Sequence, residues 1–284
     1  MKKGQALARL PFSPKIFQLP REHAGICCLV TQVFSEIRSC HVKEEGWCSA
    51  TTVTPKVSSN KLGEYHSQVD PARRRTIVKD QVKSNPAAAP SYQKALPIIA
   101  ACGIGPAFDS RKLSTAIERL EKISGGTPWT QRDRANTILA LRHWQEIAGR
   151  ISLPTGFVVS KGDHSAPKIK MGGVAISVRP DLLIKGTCQG RKVTGAIKLH
   201  FSKTSGHQLR KKGGSCVAIL IQQFLQEHKA QDGGARSSLC FSIDVFAERI
   251  VTAPKNQALF LKSIEASCEE YRYRYMAMSE NLSE

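Results

Sequence analysis

The chain has 284 residues, of which 41% are apolar and 23% charged, enough for a substantial hydrophobic core and ordinary for a globular protein. Its charge balance is not ordinary: 42 Lys and Arg against 23 Asp and Glu give a formal net charge of +19, which disfavours basic partners and favours polyanions, nucleic acid above all. Nine scattered cysteines with no Cys-x-x-Cys pair argue against both a disulfide framework and a structural zinc site, and are expected to be buried thiols in a reducing compartment. No apolar run reaches the length of a membrane span or of a signal-peptide core, so the expected location is the cytoplasm, without a membrane partner.

Along the chain, residues 1–53 hold four cysteines and three prolines with no sustained periodicity, the pattern of an irregular or disordered extension. A helical region follows over 54–128. Ser59 or Asn60 caps a helical turn through Tyr65, and Asp70-Pro71 is the N-cap and N1-proline pair of a second helix carrying Arg73, Arg74 and Arg75. The stretch KSNPAAAP (83–90) has linker composition. Helices are expected over 92–101 and 110–123, the latter with Leu113, Ile117 and Leu120 on one stripe, until SGGTPWT stops it.

The third region, 129–284, reads as an α/β core. A long helix from Thr130 aligns Ile138, Leu141, Trp144, Ala148 and Ile151. Strands are expected over 168–171, 174–184 and 193–201, then a buried helix over 215–229, a strand bent midway over 238–253, and a closing helix. The hairpin VRPDLLIKGTCQGRKVTGAIKLHF (178–201) carries the chemistry. With its turn centred near Cys188–Gln189, opposed residue numbers sum to about 377, which sets Asp181 against Ala196. Alternation places Thr194, Ala196, Lys198 and His200 on one face with Asp181, and Val193, Ile197 and Leu199 on the other. A carboxylate beside a lysine suits metal-assisted phosphodiester hydrolysis: the acid holds Mg²⁺ and the ammonium orients water or stabilises charge on the phosphate. The same pair also fits a plain cross-strand ion pair. Arg73–Arg75 and Arg210, Lys211 and Lys212 are candidate phosphate contacts for DNA or RNA, and one of Gln222 and Gln223 can turn toward the site.

Pro180-Asp181 followed by Lys198 on the next strand, in this order of helix, strands, helix and strand over 130–275, resembles the PD-(D/E)XK nuclease superfamily. That resemblance implies a restriction-endonuclease-like core: a helix, a three-stranded antiparallel meander, a helix, a further strand and a helix, behind a helical N-terminal region. It implies Asp181 as metal ligand, Lys198 as catalytic partner and Glu146, in the helix before the hairpin, as an extra acidic ligand and catalytic residue. The departure is Ala196, which stands where the superfamily has Asp or Glu; Glu146 or Asp244 is then the replacement acid. The stretch 56–81, with SSNKLGEY and PARRR, resembles uncharacterised bacterial proteins with the same kind of core. The expected function is nucleic-acid binding on a nuclease-like core, with Mg²⁺-dependent hydrolysis or, alternatively, a non-catalytic binding or interaction role. If the site is eroded, Ala196→Glu is expected to raise Mg²⁺ affinity.

Overall fold

The computed structural model of the protein describes residues 54–83, 92, 94–162, 165–229 and 234–280; the segment 1–53 and most of the 83–90 linker lie outside the described residues. Seven α-helices and two mixed sheets make up these residues. Helix α1 is Ser59–Ser67, capped by Ser58, whose Oγ accepts the Lys61 N–H at 3.3 Å. The cap falls one residue before the expected ones because 56–58 is already strand. Helix α2, Pro71–Val82, starts as the sequence predicts: Asp70 accepts the N–H groups of Ala72 and Arg73, with Pro71 at the first helical position. Then come α3 (Ala95–Cys102), α4 (Ser110–Lys122), α5 (Pro128–Ala148), α6 (Lys211–His228) and α7 (Ala258–Glu280).

Strands β1 (Lys56–Ser58), β3 (Ile169–Met171) and β4 (Val174–Ser177) form a small sheet in the order β1-β4-β3. Strands β2 (Val158–Lys161), β5 (Leu182–Cys188), β6 (Arg191–His200), β7 (Ala235–Asp244) and β8 (Arg249–Thr252) form the large one in that order. The expected meander is therefore shared between two sheets. The strand read over 174–184 is broken in its middle, where Arg179 takes φ 41° and Pro180 has no N–H for a ladder. β4 turns to β1, while β5 pairs with β2 and β6. β2, a four-residue strand without a strong sequence signature, was not expected. The bent strand of 238–253 is a hairpin, β7–β8. β6 and β7 are parallel, joined by the crossover helix α6.

The large sheet has a core on each face. Ala196 and Cys240 belong to one, with Cys216–Ile221 of α6 and Leu62 and Tyr65 of α1. Leu182, Ile184, Ile197 and Ile243 belong to the other, beneath Leu141, Trp144 and Ile147 of α5. Each of these aliphatic side chains contributes about 1.5–3 kcal/mol by leaving water. Residues 54–128 are not set apart from the α/β core: β1 pairs with β4, Ile99, Leu113 and Ile117 enter the second core, and Val53–Glu284 is one compact unit. The five described cysteines are free, and burial raises the thiol pKa of Cys102, Cys216, Cys240 and Cys268, so they serve as small apolar side chains. Among the described residues no helix is long and apolar enough to cross a membrane.

One core residue makes stability depend on pH. His66 is buried with a ring nitrogen 2.9 Å from Ser267 Oγ. Burial, aided by the charges of Lys212 and Arg74, pulls its pKa down to about 4, so the folded state holds it neutral. Its contribution is fully present above the unfolded value near 6.5 and is lost as pH falls toward 4, for a total of ~3 kcal/mol. Urea titrations at pH 7 and 4.5 should show this loss in the wild type and a smaller one in His66→Gln. An equal loss in the two proteins would assign the acid sensitivity elsewhere.

Candidate functional site

The hairpin closes through Gln189 and Gly190, both left-handed with φ 52° and 75°, so Cys188 pairs with Arg191 and Leu182 with Ile197. The pairing sum is two higher than a turn at Cys188–Gln189 sets it. A shift of two in the sum keeps every residue on its face. It moves Asp181, just before the ladder, from opposite Ala196 to opposite Lys198.

The two side chains meet. Lys198 Nζ donates to Asp181 Oδ1 at 3.2 Å and to the Arg179 carbonyl at 2.8 Å, while the Leu199 N–H donates to Asp181 Oδ2 at 2.7 Å. Their side chains are 15% and 5% exposed, which separates this pair from the solvated ion pairs worth under about 1 kcal/mol. The backbone is positioned by Gly162 at the end of β2, whose N–H donates to the Asp181 carbonyl at 2.8 Å. A Cβ there would lie 1.8 Å from the Pro180 carbonyl oxygen, so the strand end reaches this place only as glycine.

Helix α1 brings further groups to the same end of β6. Gly63 lets α1 cross α6 closely: a Cβ on it would come 2.8 Å from the Gly213 carbonyl oxygen. That crossing sets Asn60 Nδ2 2.9 Å from the Leu199 carbonyl, and one turn on it buries Glu64. Glu64 forms ion pairs with Lys61 at 2.8 Å and with Arg73, and lies 3.6 Å from His207 Nδ1. Burial alone would raise its pKa; the hydrogen bonds and charges of Lys61 and Arg73 outweigh that and hold it lowered. Sequence reasoning passes over Glu64. The available signal is Gly63, since a glycine inside a capped helix often marks a close approach.

His200 is buried on the Lys198 face and donates from Nε2 to the His207 carbonyl at 2.8 Å. Burial keeps its pKa low, against the opposing pull of Asp244 and the His207 carbonyl. Asp244, its β7 partner, accepts the Leu209 N–H at 2.7 Å and the Ala247 N–H at 3.1 Å. Ala196 is on the expected face, but that face is covered there: it is fully buried beside Cys240. Glu146 is not brought to Asp181. It is exposed on α5, whose buried side chains fill the core on the other face of the sheet. Gln222 bonds to the Ala235 carbonyl and to Gln257, which ties α6 to the chain around it rather than to the site. Among the described residues no group of three or more His, Cys, Asp or Glu side chains is placed to hold a metal ion.

The two basic runs come together. Arg73 lies 2.7 Å from His207 Nδ1, only three residues before Arg210. Arg73 and Arg74 are engaged, the first by Glu64 and the second by Glu270 and the Gln68 carbonyl. Arg75, Arg210, Lys211 and Lys212 are exposed. The last three stand at the N-cap and first turn of α6, whose dipole disfavours cations unless an anion is near.

No protein-family model matches this chain, and no curated protein matches it.

Proposed function

We propose that the protein binds nucleic acid through a basic rim on a nuclease-like α/β core, with Asp181 and Lys198 at its centre. The observation that carries this reading is the near-buried Asp181–Lys198 pair beside two basic runs that are distant in sequence and joined by the Arg73–His207 contact. The test is the salt dependence of binding to labelled DNA and RNA oligonucleotides. Changing Arg75, Arg210, Lys211 and Lys212 to Gln should flatten the plot of log affinity against log salt by about 0.7–0.9 for each phosphate that the rim no longer neutralises. Arg73 and Arg74 are left in place because they hold Glu64 and Glu270. An unchanged slope removes the rim from the interface. No association even at low salt overturns the reading.

A second reading, Mg²⁺-dependent phosphodiester hydrolysis, is favoured by the buried Asp181 carboxylate held against the Lys198 ammonium, since Asp244 and Glu64 are taken up by the Leu209 and Ala247 N–H groups and by Lys61 and Arg73. Its donors are oxygens, which fits a hard cation, and Mg²⁺ commonly takes one or two carboxylates and fills its shell with water and phosphate oxygens. Asp181 would hold it. When bound, Mg²⁺ polarises a phosphoryl oxygen and lowers the pKa of a bound water. Lys198 pairs with Asp181 and offers its ammonium to the charge that develops on the phosphate. His200, with Nε2 committed to the His207 carbonyl, anchors the loop after β6.

A further inference from the structure

The loop after β6 ties the basic rim to both layers of the fold. Lys203, three residues past the strand, donates from Nζ to Asn136 Oδ1 of α5 at 2.6 Å, on the side of the second core. Four residues later His207 meets Arg73 of α2 on the side of the first core, and Arg210–Lys212 follow at the start of α6. Beyond the Lys203 contact stands Trp129, 63% exposed in the first turn of α5. Its helical phase is an interior one: Ile147 lies 18 residues on, five full turns, and is fully buried. Trp129 is nevertheless open to solvent because α5 runs seven residues, about 10 Å, past Asn136.

Asn136, Arg132 and Trp129 share one stripe at spacings of four and three, so Arg132 stands between the Lys203 contact and the indole. Arg132 is exposed, and no ion pair among the described residues engages it. The acids nearby in sequence are already taken, Asp133 by Lys94 at 2.9 Å and Glu121 by Arg142 at 2.6 Å. An open indole with an unengaged guanidinium one turn away offers stacking surface and positive charge together, the two elements that hold single-stranded nucleic acid. In a duplex each base face is covered by its neighbours, so an indole takes only a base that is unpaired or splayed out. We infer that Trp129 is a stacking platform for an unpaired base, and that the nucleic acid this protein takes has a single-stranded segment. The inference rests on the nucleic-acid reading above and gives it a substrate class.

The experiment compares the full chain with Trp129→Ala and Trp129→Phe in binding a labelled twelve-nucleotide single strand and an abasic strand of the same length, across a salt series; circular dichroism checks the fold. Trp129→Ala should weaken the base-bearing strand about 5- to 150-fold, and Trp129→Phe should weaken it less. Both should leave the abasic strand's affinity and every salt slope unchanged, since no charge is removed. If the wild type binds neither strand, the nucleic-acid reading fails and takes this inference with it. If the wild type binds and Trp129→Ala binds both strands as tightly, the platform alone is wrong. Equal weakening on the two strands would mean that Trp129 acts through the fold instead of through a base, and would also overturn the platform. Gel filtration supplies the last arm: self-association lost in Trp129→Ala, with the base-bearing affinity unchanged, would give the indole to a second copy of the chain.

Discussion

Ala196→Glu should destabilise the protein by about 4 kcal/mol or more instead of supplying a metal ligand. Ala196 has the right parity to share a face with Asp181 and Lys198, and from the sequence a carboxylate there restores an eroded site. The structure covers that face. Ala196 is fully buried in the core that includes Cys216, Val217 and Ala218 of α6, with Cys240 paired beside it. A glutamate would push extra methylenes and a carboxylate into this packing, with no cation among the residues of that core to meet it. Overpacking alone costs about 1–3 kcal/mol, and an unpaired buried carboxyl adds desolvation or is driven to its neutral form. Urea denaturation of Ala196→Glu, with Ala196→Ser as the small polar control, measures this directly. A wild-type midpoint together with tighter Mg²⁺ binding would show that the position opens to solvent and would reinstate the eroded-site expectation.

Asp181→Ala should be the most damaging change at the pair itself, both to stability and to any cleavage. It leaves the nearly buried Lys198 ammonium without its carboxylate and the Leu199 N–H without an acceptor. Breaking a buried ion pair from one side costs about 3–5 kcal/mol. Asp181→Asn keeps an oxygen for Leu199 and removes the charge, so it separates the two effects: it should stay folded and lose Mg²⁺-dependent cleavage if the hydrolytic reading holds. Lys198→Ala should weaken cleavage without abolishing metal binding. A double-mutant cycle over Asp181→Asn and Lys198→Met should give a coupling above ~1 kcal/mol. A coupling below ~0.5 kcal/mol would return the pair to the class of surface ion pairs. Cleavage that survives Asp181→Asn intact would end the hydrolytic reading and leave the binding one standing.

Which face of the hairpin carries Asp181 and Lys198 was legible because strand periodicity is local. Apolar and polar residues alternate through 193–200, and that alone places Lys198 and His200 on the face opposite Ile197 and Leu199. The register was not legible to the residue. It depends on whether Cys188–Gln189 or Gln189–Gly190 forms the turn, and the latter is chosen because both residues must take positive φ and one of them is glycine. The Asp181–Lys198 contact tolerates the difference only because the error is an even one.

By itself the sequence determined what short-range physics decides: the Asp70-Pro71 start of α2, the amphipathic helices, the two faces of the hairpin, the free thiols of the described residues and the net positive charge. Tertiary structure alone decided which of these surfaces meet. Glu64 reaches the end of β6 because Gly63 and Gly213, far apart in the chain, let α1 and α6 touch. Arg73 and Arg74 are spent on carboxylates while Arg75 is left to solvent, and Glu146 is turned away by the α5 stripe that fills the opposite core. Ala196 is sealed under α6 although it shares its face with Asp181 and Lys198. Periodicity tells a residue which side of its own element it is on; only the burial of one element against another tells it what stands on that side.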